Sequence, residues 1–443
     1  LNRSNRLTAT YAVPKSKENV VKRHLVTTIA GAAALALLTA CGGGSSGQAA
    51  ADGPQTIKVA LWNYATTPEF KAIIDGFQQA NPQIKVEPVD ILADDYQQKV
   101  TTMLAGGDTT DVLTMKNVID YARYGTRGQL LPMTDQAKAL DPAKYSGLKS
   151  YELEGKYFAL PYRQDFWVLY YNKTLLKQAG VPESKLQNLT WADYATLAKS
   201  LTKGDGQAKV YGTYQHTWRS VVQATAAAQS GGDLLGGNYG FFKDQYAMTL
   251  DLQKSGALLP WATAKSQKVS YNTMFSTGKA ALMPMGTWYA ATLLADTKAG
   301  KTKVDWGMAP LPQRAADGKT TTFGSPTAFA VNKNSKHADA AKKFVEWASG
   351  EAGATAVAKA GVTPSLQTQA ILDTYFGLPG VPGDALAKKA FKPDTVVLEM
   401  PVGDKSSDVD QILTEEHELI MTGQKSLDDG LGEMSKRVKN EVG

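Results

Sequence analysis

The chain has 443 residues, too many for one ordinary core, and this predicts more than one domain. Its formal charge of +6 would suit a nucleic-acid partner, but residues 1–40 hold six of the 48 Lys/Arg against one acid, Glu18, leaving 42 basic and 41 acidic residues after them. That near-neutral remainder offers no basic stripe for phosphates, and four scattered histidines with one cysteine offer no HExxH or CxxC spacing, so nucleic-acid binding, metal sites and cofactor or triad chemistry are set aside.

In chain order, Lys22 and Arg23 precede an Ala/Leu-rich run from Leu25 to Thr39, which is shorter than the ~20 residues a membrane-spanning helix needs. Residues 1–40 therefore read as a signal peptide, with residues 1–19 as an extension if translation begins near Val20. The run ends in Leu38-Thr39-Ala40-Cys41, which resembles the bacterial lipoprotein box, and the resemblance implies a lipid on Cys41. Residues 41–55 are Gly, Ser, Ala and Gln-rich, a flexible tether that cannot build a core. The GxGxxG and GxSxG matches inside it follow no strand and open no helix, so neither carries chemistry.

The folded part opens with an alternating strand, Ile57, Val59 and Leu61, followed by Trp62-Asn63-Tyr64. Thr67 and Pro68 start a helix whose Phe70, Ile73, Ile74 and Phe77 share one face, and Asn81-Pro82 ends it. A strand from Ile84 to about Ile91, a helix carrying Tyr96, Val100, Met103 and Leu104, and a strand Asp111 to Met115 complete a βαβαβ pattern. Ligands of such parallel sheets meet the loops after the strand ends, which here hold Trp62, Asn63, Tyr64, then Asp94 and Asp95, then Lys116 and Asn117. Next come two β-type runs, Tyr157 to Tyr162 and Phe166 to Tyr171, with Gln164 and Asp165 in a polar break read as a crossover between cores. Beyond it, Thr190 caps a helix to Leu201, a strand at Val210 to Tyr214 leads into Trp218, and a buried strand Ala280 to Met285 turns through Gly286-Thr287-Trp288 into another helix. Trp306 to Leu311, Thr327 to Val331, a helix Ala338 to Ser349 and two C-terminal helices follow.

GKYFALPY followed by LYYNKTLLKQAG, with FQQANPQIKVE, AGGDTTDVL, GKAALMPMGTWY, GMAPLP and SKHADAAKKFVEWAS in the same order, resembles the bacterial extracellular solute-binding proteins of family 1, the maltose-binding-like receptors of carbohydrate ABC importers. The resemblance spans roughly residues 55–440. It implies a two-lobed, type II-like periplasmic-binding-protein fold of class α/β, each lobe a mostly parallel sheet flanked by helices, joined by a multi-strand hinge. Lobe 1 would be residues 56–163 plus 312–360, and lobe 2 residues 164–311 plus 361–443, with a third crossing near residues 361–364. It also implies a monomer held by a lipid anchor at the extracytoplasmic face of the membrane, meeting the membrane subunits of the importer.

Sugar binding needs flat apolar platforms for pyranose C–H faces and planar polar groups that span adjacent hydroxyls. Trp62, Tyr64, Trp218 and Trp288 supply the first; Asn63, Asp94, Asp95, Lys116, Asn117, Arg163, Gln164 and Asp165 supply the second. The family resemblance implies a sugar-stacking tryptophan at Trp288 and an acidic sugar ligand at Asp165. Core packing for one of Trp62 and Tyr64, capping by Asp94 and Asp95, and a surface role for Lys116, Asn117 and His216 are the plainer readings. Trp167 is assigned to the core. The function expected is a carbohydrate receptor that acts by hinge closure and is not an enzyme. The alternatives are a receptor for another polyol-like solute such as a glycerol phosphate ester, a secreted glycoside hydrolase using Asp94, Asp95 and Asp165, and a purely structural lipoprotein.

Overall fold

The computed structural model describes residues 54–443. Cys41, the signal peptide and most of the tether lie outside the described residues. The tether ends earlier than expected, because Gln55 already pairs with Ile84 in the first strand.

Nine strands join into one mixed α/β sheet. Gln55–Trp62 lies between Ile84–Ile91 and Val112–Met115, parallel to both, as the βαβαβ pattern predicts. The helix Pro68–Ala80 forms where expected, with Pro68 in its first turn and Phe70, Ile73, Ile74 and Phe77 buried on the sheet. Two other helix starts follow their cap residues: Asn172 accepts from the Leu175 N–H, and Thr190 from the Asp193 N–H.

The polar break at Gln164-Asp165 is not a break. One fully buried strand, Ala159–Asn172, runs straight through it. Its first half pairs antiparallel with the strand Thr321–Val331, and its second half with Ala280–Gly286 and Trp306–Ala309. Two buried polar residues persist in mid-strand because each has partners, Asp165 among them with Arg163 and Thr287. The return strand is likewise longer than the expected Thr327–Val331. It begins at Thr321, carries a register shift between Thr327 and Ala328, and pairs with Val112–Met115 at one end and with Thr395–Leu398 at the other. A third segment lies alongside: the Gln164 N–H donates to Thr363 O and the Ser365 N–H to Tyr162 O.

The sheet is mixed rather than mostly parallel beyond Val112–Met115. A chain that crosses and returns must enter in opposite senses, so the two long strands are antiparallel to each other, the return strand to Val112–Met115 and the first to Ala280–Gly286 and Trp306–Ala309, while Thr395–Leu398 adds parallel to the return strand. A second apolar cluster, including Val222, Phe242, Tyr246, Ile412 and Leu413, packs the C-terminal helices Ser406–Met421 and Leu427–Arg437 onto residues 219–261.

Candidate functional site

At the middle of the long strand lies a cavity of about 670 Å³. Its lining includes Trp62, Asn63, Asp94, Lys116 and Asn117 from the ends of the three parallel strands, Arg163 and Asp165 from the long strand, and Trp218 and Trp288 opposite them. Three expected residues are left out. Asn63 has a positive φ of 46°, which turns the chain so that Tyr64 packs on the core, its N–H held by Asp90. Asp95 stands at the start of the helix Tyr96–Ala105, and its side chain makes no capping bond. Gln164 also stays outside, donating to the Asp165 carbonyl.

The floor is a buried charge cluster. Arg163 reaches Glu69 with one arm of its guanidinium, and its Nε lies 2.8 Å from Asp165 Oδ2. Thr287 Oγ1 donates to Asp165 Oδ1 at 3.1 Å, and Asp165 is only 3% exposed. Burial pushes both carboxyl groups up, and the single guanidinium they share offsets part of that rise. Burial also works against the Arg163 charge, but Asp165, Tyr162 and Glu69 outweigh it and hold the guanidinium protonated. Glu69 carried no sequence signal beyond that of an acid in a first helical turn.

Both cations of the site are occupied internally. Lys116 Nζ donates to Ala93 O at 2.6 Å and sits 5.4 Å from the centre of the Trp62 ring, whose other cationic neighbour is Arg163 at 5.7 Å. Burial lowers the Lys116 pKa. Trp62 itself is 7% exposed, wedged edge-on against Phe70 and Tyr96, so it lends an edge to the cavity rather than an open face. Asn63 Oδ1 accepts from the Ala93 N–H, and Asn117 caps the helix Val118–Thr126. Asp94 stands exposed on the rim.

The facing wall is aromatic. Trp167, buried as expected, meets Trp218 and Trp288 edge-on at 6.3 and 5.9 Å, and Trp218 and Trp288 are 6.2 Å apart. Tyr271, which the sequence did not single out, completes it. Trp218 is 40% exposed, a large apolar face turned to solvent. Gly286 makes the wall possible, since a Cβ there would lie 1.8 Å from the Trp288 ring. His216, expected at the surface, instead packs behind Trp218 at 4.4 Å and bonds Tyr214 Oη through Nδ1.

Burial lowers the His216 pKa to about 4, and that of His417 to about 3. A histidine kept neutral in the fold is stabilising above its unfolded value, and this contribution is lost as protons bind the unfolded chain first. Stability is therefore expected to fall between about pH 6.5 and 4, by at most about 3 kcal/mol for His216. Urea titrations of the wild type and His216→Asn at pH 7 and 4.5 check this; an equal acid loss in both would remove His216 as a cause.

Residues 64–355 match the family model for bacterial extracellular solute-binding proteins. The chain belongs to that family. The binding protein is 26% identical to the mannitol-binding protein of Pseudomonas aeruginosa over 73% of this chain and 77% of that one. It is also 26% identical to the diacetylchitobiose binding protein DasA of Streptomyces coelicolor, over 78% and 82%. A sugar transporter from Rhizobium etli, solved in an open conformation, is 37% identical with a TM-score of 0.74, covering 87% of this chain and 99% of that one. A Listeria monocytogenes substrate-binding protein in complex with cycloalternan, 20% identical with a TM-score of 0.75 over 88% and 99%, shares the fold. The two-lobed α/β solute-binding architecture is thus shared across these proteins. The family is one of binding proteins, and its location is extracytoplasmic. Among the described residues, no helix is long and apolar enough to cross a membrane and no group of His, Cys, Asp and Glu could hold a metal.

Proposed function

We propose that the binding protein is a carbohydrate receptor of an ABC importer, in which two lobes close on a sugar and present it to the membrane subunits. One observation carries this: a single cavity sets an aromatic wall, Trp218, Trp288 and Tyr271, against a floor of fixed acceptors around Asp165. Apolar ring faces and hydroxyl edges would both be satisfied there. The wider sugar class agrees with the mannitol-binding and diacetylchitobiose-binding relatives.

The lobes are taken as residues 56–163 with 312–360 and residues 164–311 with 361–443. The hinge is the place where the long strand, the return strand and residues 363–365 run side by side. Sugar favours closure only to the extent that it binds the closed form more tightly. The anionic alternative, a glycerol phosphate ester, loses support because Arg163 and Lys116 are both engaged while Glu69, Asp94, Asp165 and Glu399 add negative charge. Cys41 would carry the lipid that holds this monomer at the membrane, which partitioning of the native protein into detergent checks.

Native mass spectrometry of protein purified from its own host, followed by calorimetry with glucose, mannitol, maltose, cellobiose and lactose, tests the function. A retained or titrated sugar of unchanged mass is expected. Cleaved oligosaccharide would establish a hydrolase instead, and no binding to any sugar would refute the receptor.

A further inference from the structure

The long strand, the return strand and the short strand Thr395–Leu398 lie side by side, and their registers interlock. Asp165 pairs with Ser325, and Gly324 pairs with both Phe166 and Leu398. The Glu399 N–H then donates to Gly324 O at 3.0 Å, so continuing the register brings Glu399 abreast of Ser325. Cross-strand neighbours point to the same face of a sheet, and all three of these residues line the cavity. We propose that Asp165, Ser325 and Glu399 form one row of hydroxyl-binding groups, in which Glu399 is a further solute-contacting residue that reads the far end of a ligand longer than one sugar ring.

This deepens the carbohydrate reading and rests on it. Two strand spacings of ~4.8 Å separate the ends of the row by about 10 Å, wider than a single pyranose and suited to two linked rings. Each member has acceptor capacity left. Asp165 uses sites for Thr287, Arg163 and the Trp288 backbone N–H, out of roughly four on a carboxylate. Among the described residues, Ser325 Oγ makes only a long 3.5 Å contact to Pro326 O. Glu399 makes no salt bridge among the described residues; burial pushes its carboxyl up, and Arg219 and the Ser220 hydroxyl pull it back. Gly324 allows this close strand packing, since a Cβ there would lie 2.1 Å from Asp165 O. The aromatic wall runs opposite the row and offers Trp218 as well as Trp288, two adjacent platforms for two rings.

The test is calorimetry on the full chain and on Glu399→Ala and Glu399→Gln, with glucose, mannitol, maltose, cellobiose and lactose as probes. The wild type is expected to bind at least one disaccharide more tightly than glucose or mannitol. In Glu399→Ala the ratio of disaccharide to glucose affinity should fall at least tenfold, and Glu399→Gln, whose amide oxygen still accepts, should recover most of it. A general loss of structure would weaken every sugar alike and leave the ratio in place. An unchanged ratio, or tightest binding of glucose or mannitol by the wild type, overturns the row while leaving a sugar receptor standing. A wild type that binds none of the five sugars overturns both.

Discussion

Replacing Arg163 with methionine is expected to lower the unfolding free energy by about 3–5 kcal/mol, the usual cost of removing one partner from a buried charge cluster. The guanidinium is the only cation in direct contact with Glu69 and Asp165 among the described residues, and both acids are almost fully buried. Without it, two carboxyl groups already pushed up by burial rise further above their unfolded values. A carboxyl raised in this way stabilises the fold fully below its unfolded pKa and loses that contribution as pH rises through its folded pKa. The gap between variant and wild type should therefore be widest near neutral pH and narrow as the solution is acidified. Adding Glu69→Gln and Asp165→Asn to Arg163→Met should recover much of the loss at pH 7, since no uncompensated charge then remains. Urea unfolding of the wild type, Arg163→Met and the triple variant at pH 7 and 5 measures this. A loss below about 1 kcal/mol in Arg163→Met would mean that water reaches the carboxylates and that the floor is not preorganised.

That floor marks the limit of what the sequence made legible. The loops after the parallel strands were readable, because a βαβαβ pattern places residues such as Asp94 and Asn117 at strand ends whatever the rest of the chain does. Helix starts at Thr190 and Asn172 were readable for the same local reason. Tyr64 and Asp95 were misplaced because each adjoins a true lining residue, and one positive φ at Asn63 decides which neighbour faces the cavity. Gln164-Asp165 looked like a break because polar residues seldom sit in a buried strand. Their partners lie on distant segments, such as Thr287, 122 residues further on. Glu399 was invisible for a related reason: Thr395–Leu398 is largely exposed and too short to show periodicity, and its place beside the return strand is set only by long-range pairing.

The second large effect concerns the opposite wall. Trp288→Ala is expected to weaken binding of the sugar the protein retains, or of its tightest panel sugar, by roughly thirty- to 150-fold, equivalent to about 2–3 kcal/mol. A stacked indole contributes both its buried area and the geometry of a flat face, and Trp288 is half-buried with its remaining surface on the cavity. Apo stability should also drop, by about 1–2 kcal/mol, because the ring meets Trp167 and Trp218 and covers Gly286. The two effects can be separated without deleting the ring. Gly286→Ala leaves the indole in place chemically but puts a methyl where its edge now lies, which forces it off the wall. If stacking is the source of affinity, Gly286→Ala should reproduce most of the binding loss, whereas Trp288→Phe, which keeps a smaller flat ring, should lose only about tenfold. If all three variants bind sugar like the wild type while melting earlier, Trp288 is packing alone and the stacking surface must be sought at Trp218.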